Sequence, residues 1–227
     1  MTTDPEELKK RASIIEHCRK LNSSGLNQGT SGNISIRHGD GMLISPASRP
    51  YDSMTPEDIV YVAFGGEATG RWNPSSEWRF HHDILAARPD VMAVVHAHPT
   101  YCTVLSIHGR EIPAIHYMMA IFGGPNIRVA PYAIYGSQEL SDFAVSALKD
   151  RTACLLEHHG MIAVGSSMEQ AFWMATELET LARQYHGALQ IGEPPLLSDQ
   201  QIQDVIDKIA GYGLSDTAKK EPADAKP

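Results

Sequence analysis

The chain has 227 residues and carries 27 Asp and Glu against 19 Lys and Arg, a formal charge of −8. That length suits one α/β domain, or at most two small ones, whose core needs no disulfide or metal staple. The acidic balance, with its basic residues scattered, argues against nucleic acid or an anionic membrane surface as the main partner.

From the amino terminus, Asp4-Pro5-Glu6-Glu7 reads as a capped helix start, and the helix is expected to run to about residue 21. No apolar leader precedes it, and no apolar run anywhere is long enough to span a bilayer. The polar stretch 27–33 leads into Ile34-Ser35-Ile36-Arg37, which alternates like a strand. His38-Gly39-Asp40-Gly41 then signals a hairpin to a second strand over 42–45. A third strand is expected over 58–64. Asn73-Pro74-Ser75-Ser76-Glu77 opens a helix through residue 87, which places Glu77 in the first helical turn. Strands follow over 91–96, 153–157 and 161–164, with helices over 100–107, 139–148, 168–189 and 199–210. The pattern implies a single domain over 1–214, an α/β sandwich with a mostly antiparallel central sheet flanked by helices. Residues 215–227, charged and poor in apolar side chains, are expected to be a disordered tail. Cys18, Cys102 and Cys154 lack CxxC spacing and fit reduced thiols in a cytoplasmic protein.

The 11 histidines hold most of the chemistry, because several fall in short clusters. In His96-Ala97-His98, side chains two apart on an extended chain share a face, separated by roughly 7 Å, and two imidazoles so placed can converge on one ion. By itself such a pair is as readily two partly exposed histidines at a strand end. His158-His159-Gly160 follows an apolar strand. Strand alternation lets one of the two histidines face the site, and His159 is the choice, with Gly160 allowing a close backbone approach. Three histidines match a zinc shell with a position left open for substrate, whereas an all-oxygen magnesium site fits the set poorly. Glu77 follows Ser75-Ser76, whose hydroxyls and N–H groups can form an anion pocket at a helix start; its plainer role is to complement the helix dipole. His81 and His82 are read as structural. Gly29-Thr30-Ser31-Gly32-Asn33 is either a backbone nest for phosphate or an ordinary polar turn.

Taken together, several segments resemble the class II aldolase/adducin family: residues 26–33 (Leu-Asn-Gln-Gly-Thr-Ser-Gly-Asn), Met42-Leu43-Ile44-Ser45-Pro46, Pro74-Ser75-Ser76-Glu77-Trp78-Arg79, Val94-Val95-His96-Ala97-His98 and Leu155-Leu156-Glu157-His158-His159-Gly160. Ile112-Pro113-Ala114-Ile115-His116-Tyr117 and Ala130-Pro131-Tyr132-Ala133 add to the match, which runs in order over about residues 8–214.

The resemblance implies one zinc ion per subunit held by His96, His98 and His159, with Glu77 as a fourth ligand that leaves the metal on substrate binding and acts as base. It implies a substrate phosphate bound by Gly32, Asn33, Ser75 and Ser76, together with the segment after Pro46. There the family carries Thr-Gly and this chain has Ala47-Ser48, followed by Arg49. It also implies a proton donor, Tyr117, supplied across a subunit boundary of a homotetramer, and a closing tyrosine, Tyr212. Tyr135 stands where Phe is common near the aldehyde pocket. The activity implied is reversible cleavage of a ketose 1-phosphate, of the L-fuculose 1-phosphate kind, into dihydroxyacetone phosphate and a small aldehyde. A decarboxylase of a 3-oxo-4-phospho sugar acid, an L-ribulose-5-phosphate 4-epimerase and a metal-free adducin-like interaction protein are the alternatives. The sugar phosphate is the expected partner, with neither nucleic acid nor membrane.

Overall fold

The computed structural model describes residues 4–210, so the expected tail over 215–227 and Tyr212 lie outside the described residues. The first helix forms where its capping chemistry predicts. The Asp4 carboxylate accepts the Glu6 N–H at 3.0 Å, Pro5 takes the first turn, and α1 runs Pro5–Ser23. Strands β1 (Asn33–His38) and β2 (Gly41–Ile44) make the expected antiparallel hairpin, turned by Gly39 at φ 55°. Strands β3 (Val60–Ala63) and β4 (Ala68–Thr69) complete that side of the sheet. The third strand is shorter than expected, because Pro56–Asp58 folds into a 3-10 turn in which the Asp58 carboxylate caps the Thr55 N–H at 2.9 Å.

Helix α2 spans Trp78–Ala87, and Glu77 is its cap residue at φ −104°, ψ 16°, rather than a member of the first turn. After it come β5 (Ala93–Ala97), α3 (Thr100–Ile107), a 3-10 segment Tyr117–Phe122, and the two-residue strand β6 (Val129–Ala130), which local sequence did not signal. The chain continues through α4 (Gln138–Ala147), β7 (Ala153–Leu156), β8 (Gly160–Gly165), α5 (Met168–Leu189) and α6 (Asp199–Ala210).

The eight strands form one sheet in the order β4-β3-β2-β1-β5-β8-β7-β6, antiparallel throughout except for the parallel β6–β7 edge. Alternation sorts its apolar residues onto two covered faces. Ile34, Ile36, Val95, Ala97, Met161 and Ala163 join the core under α1, α3 and α5. Met42, Ile44, Val62, Val94, Ile162 and Val164 pack against Phe80 and Ile84 of α2 and Leu140 and Ala144 of α4. With helices over both faces, the polar positions that alternate along β1 have no solvent to face. Asn33 and Ser35 are buried, as is His96 on the neighbouring β5, so each needs a protein partner.

Candidate active site

Strand β5 carries His96 in register with Asn33 of β1 and Ile162 of β8, in the middle of the sheet. The strand ends at Ala97, and His98 follows at once, its Nε2 2.9 Å from His96 Nε2. Gly160 permits this approach. A Cβ there would lie 2.6 Å from the Ala97 carbonyl oxygen and 2.7 Å from His98 Cδ2, closer than real side chains pack. His159 does reach the site, but the reason is not strand alternation. Residues 156–159 form a tight turn between β7 and β8, closed by the His159 N–H donating to the Leu156 carbonyl at 3.0 Å, with His158 in the left-handed region at φ 54°. The turn directs His159 inward and leaves His158 exposed, edge-on to Tyr132.

The three rings stand in a near-equilateral array, with each pair of centroids 4.8 Å apart. Glu77, projecting from the start of α2, closes the fourth side: Oε2 lies 3.2 Å from His96 Nε2 and Oε1 lies 3.1 Å from His159 Nε2. One ligand atom from each of Glu77, His96, His98 and His159 falls within 4.8 Å of the others. The donor chemistry fits a cation. His96 Nδ1 donates to the Met161 carbonyl at 2.9 Å, which turns Nε2 toward the cluster. Glu77 Oε1 is buried and accepts no hydrogen bond among the described residues, as expected of a ligand oxygen. Burial would raise the Glu77 carboxyl, but the adjacent His96 and His159 outweigh it and hold the group well below the usual carboxylate range. Burial, reinforced by His96 and His159, brings His98 down to about 3, so its ring is neutral and available as a ligand. A second close group, Asp4, Glu7 and His38, is more exposed, and Arg11 already pairs with Glu7 at 2.6 Å.

Local sequence did not reveal the support behind Glu77. Asn33 Nδ2 donates to Glu77 Oε2 at 2.9 Å, and Asn33 Oδ1 meets Nε2 of the fully buried His81 at 2.5 Å. His81 Nδ1 meets Ser35 Oγ at 2.8 Å. Burial, then the nearby His96, lowers the His81 pKa to about 3. The available signal was the four-residue spacing from Glu77 to His81 combined with the polar alternation of Asn33 and Ser35. It becomes informative only once α2 is known to cover β1. Glu179 of α5 was also missed: its two carboxylate oxygens accept the Tyr101 and Cys102 N–H groups, each at 2.9 Å, and so hold the start of α3 just after His98.

The segments proposed for phosphate are neighbours. Pro46 and Pro74 form an isolated antiparallel bridge, with the Ala47 N–H on the Asn73 carbonyl at 3.1 Å and the Ser75 N–H on the Ser45 carbonyl at 3.0 Å. Ala47-Ser48 therefore runs beside Ser75-Ser76, and Ser48 takes a left-handed conformation at φ 55°. Ser45 Oγ in turn accepts the Ile34 N–H at 3.2 Å, which brings Gly32 and Asn33 to the same end of the sheet. The Asn33 side chain is committed to Glu77 and His81. Ser75 Oγ accepts the Glu77 N–H at 3.3 Å, while Ser76 is exposed.

Tyr117 and Tyr135 are exposed at 54% and 65%. Tyr117 packs on His116, and among the described residues no hydrogen bond ties it to the histidine cluster. The Tyr135 loop is anchored near Ser76, since Gly136, at φ 73°, lies against the Ser76 carbonyl and accepts Arg79 Nε–H at 3.1 Å. A cavity of about 900 Å³ lies elsewhere, between Glu7, Arg11, His38, Tyr61 and Arg71. No helix among the described residues is long and apolar enough to cross a membrane.

Residues 12–186 match the family model described as Class II Aldolase and Adducin N-terminal domain. The chain is 48% identical over 213 residues, 94% of its length and 96% of the relative's, to a 5-methylthioribulose-1-phosphate/5-deoxyribulose-1-phosphate aldolase of Rhodospirillum rubrum. It is equally 48% identical over 210 residues, 92% of its length and 98% of the relative's, to the L-fuculose phosphate aldolase of Escherichia coli K12. Among solved structures, an L-fuculose 1-phosphate aldolase superposes with a TM-score of 0.86 at 35% identity, covering 89% of this chain and 96% of that one.

Proposed function

The chain belongs to the class II aldolase and adducin family, and as a sugar-phosphate aldolase of that family, we propose, it reversibly cleaves a ketose 1-phosphate into dihydroxyacetone phosphate and a small aldehyde with one zinc ion per subunit. The observation that carries this reading is the convergence of His96, His98, His159 and Glu77 on one point. The substrates named for the relatives, L-fuculose phosphate, 5-methylthioribulose 1-phosphate and 5-deoxyribulose 1-phosphate, differ chiefly in the part that leaves as aldehyde. The phosphate end is therefore the constant element of the proposal.

His96, His98 and His159 hold the metal, and Glu77 completes the set in the resting site. Three imidazole nitrogens and a carboxylate suit zinc better than magnesium. When bound, the zinc supplies positive charge opposite the oxygens that become negative as the carbon–carbon bond breaks. Glu77 is the acid–base group at the nucleophilic carbon: in the cleavage direction it returns a proton there, and in the condensation direction it removes one. Tyr117, reaching across a subunit boundary of a homotetramer, takes the hydroxyl proton at the aldehyde end on cleavage and gives it back on condensation. Gly32, Asn33, Ala47, Ser48, Ser75 and Ser76 form the phosphate end; with the Ala47 and Ser75 N–H groups held by the Asn73 and Ser45 carbonyls, the serine hydroxyls and the other backbone N–H groups of these segments receive the phosphate. An acidic chain thus captures an anion by local donors. Tyr135 faces the aldehyde portion, and Tyr212 closes over it. The three buried free thiols suit the cytoplasm.

Incubating the purified enzyme with L-fuculose 1-phosphate, 5-deoxyribulose 1-phosphate and 5-methylthioribulose 1-phosphate, before and after chelation, tests the reading. Dihydroxyacetone phosphate is expected from at least one substrate, lost with the metal and restored by zinc. Carbon dioxide release from a sugar acid in place of aldehyde formation, or cleavage that persists without metal, overturns it.

A further inference from the structure

His81 lies behind the cluster, bonded to Asn33 and Ser35 and to none of Glu77, His96, His98 and His159, and it is wholly buried with both ring nitrogens engaged. The direction of every hydrogen bond in this chain of contacts follows from one end. Ionised Glu77 can only accept, so Asn33 presents Nδ2 to Oε2 at 2.9 Å. Asn33 Oδ1 must then face the other way, onto His81 Nε2 at 2.5 Å, and that nitrogen must carry the proton. With its proton on Nε2, His81 accepts at Nδ1 from the Ser35 hydroxyl at 2.8 Å. Turning the Asn33 amide over would set its oxygen against the Glu77 carboxylate, a repulsive contact in a buried site whichever tautomer His81 then adopted. The arrangement therefore has one satisfied orientation.

We propose that His81 is a positioning residue for the aldol reaction: through its Nε2–H it locks the Asn33 amide, which holds Glu77 Oε2 in place. Resting on the reading of Glu77 as the proton carrier, the proposal gives α2 a second task. The helix delivers Glu77 at its start and, one turn later, the histidine that fixes the partner of Glu77 on the facing strand. The ring also stacks on Phe80 at 4.8 Å, and Phe80 meets His96 edge-on at 5.2 Å. A purely space-filling role is thus the competing explanation, and the hydrogen-bond donor is what separates the two.

Two measurements test it. In the first, long-range proton–nitrogen correlation spectra are recorded on protein labelled with [15N]histidine, zinc-loaded and again after chelation, the His81 signal being identified by its loss in His81→Gln. The expected result in both states is a neutral ring protonated on Nε2. A ring protonated on Nδ1 overturns the proposal whatever reaction the enzyme catalyses. In the second, His81→Leu is expected to lower kcat about 10- to 100-fold, as losses behind a metal site typically do, with KM and zinc stoichiometry unchanged. His81→Gln, whose side-chain NH2 can still donate to Asn33, recovers most of that loss. His81→Leu added to Asn33→Ala produces no further loss. Equal defects in the Leu and Gln variants, or an effect confined to KM, would assign the ring to packing alone. Should His81→Leu fail to fold, the Gln variant and the tautomer still decide. Should the wild type cleave no ketose phosphate, the functional reading fails while the spectra still test the relay.

Discussion

Asn33 and His96 lie opposite each other across the β1–β5 pairing, and both reach the same oxygen: Asn33 Nδ2 is 2.9 Å and His96 Nε2 is 3.2 Å from Glu77 Oε2. Strand register places a neutral donor and a ring nitrogen on either side of one carboxylate. If that carboxylate carries the proton, Glu77→Gln keeps the shape and loses the chemistry. Turnover is expected to fall by about 10²- to 10⁴-fold, the usual weight of a positioned acid–base group, with the circular dichroism spectrum unchanged. Near-normal rates would remove Glu77 from the mechanism.

Metal removal gives a stability readout independent of substrate. A cation that binds only the folded site contributes ~4 kcal/mol at a thousandfold excess over its dissociation constant. Chelation is therefore expected to lower the melting temperature, and zinc to restore it. In His96→Ala and His159→Ala, chelator and zinc are expected to change the melting temperature little. A melting temperature indifferent to chelator in the wild type would contradict a metal held by this set.

Acidification should destabilise the metal-free protein. His81 and His98 are brought by burial from 6.5 to about 3 in the folded chain, so between those values the unfolded chain binds more protons than the folded one. Stability is then lost as pH falls below about 6.5, by up to ~1.4 kcal/mol per pH unit for each such proton. Melting curves from pH 7.5 to 5 are expected to shift downward, less steeply in His81→Gln than in the wild type. Parallel pH dependences would show that His81 takes no part.

Gly160→Ala places a methyl 2.6 Å from the Ala97 carbonyl oxygen and 2.7 Å from His98 Cδ2. Overpacking of this kind costs about 1–3 kcal/mol, and the ring that must move is a proposed ligand. Zinc affinity is expected to fall along with the melting temperature. Loss of stability with unchanged zinc binding would mean that the ring relaxes without leaving the site.

Glu179→Ala removes both acceptors from the α3 amino terminus. Hydrogen bonds to a charged group contribute about 1.5–3 kcal/mol each when a partner is lost, so a clear fall in the denaturant midpoint is expected, with a smaller loss of zinc affinity because His98 precedes α3 directly. Chemical denaturation and zinc titration of the variant measure the two effects separately.

Much of the fold was legible in one dimension. Helices α3 and α5 span the residues expected of them, and the β1–β2 hairpin sits on its glycine turn. The histidines proposed as ligands stood out as clusters, and the motifs around them pointed to the class II aldolase family. Less legible were short edges such as β4 and β6, whose two residues carry no periodic signal, and the place of Glu77, which moved from the first helical turn to the cap.

What the sequence determined by itself is local: which stretches have an apolar face, where turns permit a reversal, and which residue types can bind a metal. The tertiary structure alone decided that α2 covers the polar positions of β1. That turned Asn33, Ser35 and His81 from an unremarkable alternation and a helical histidine into one hydrogen-bonded support for Glu77. Periodicity records how one segment meets its surroundings. A buried polar group is defined by the partner it finds, and here Asn33 meets its partners more than forty residues away along the chain.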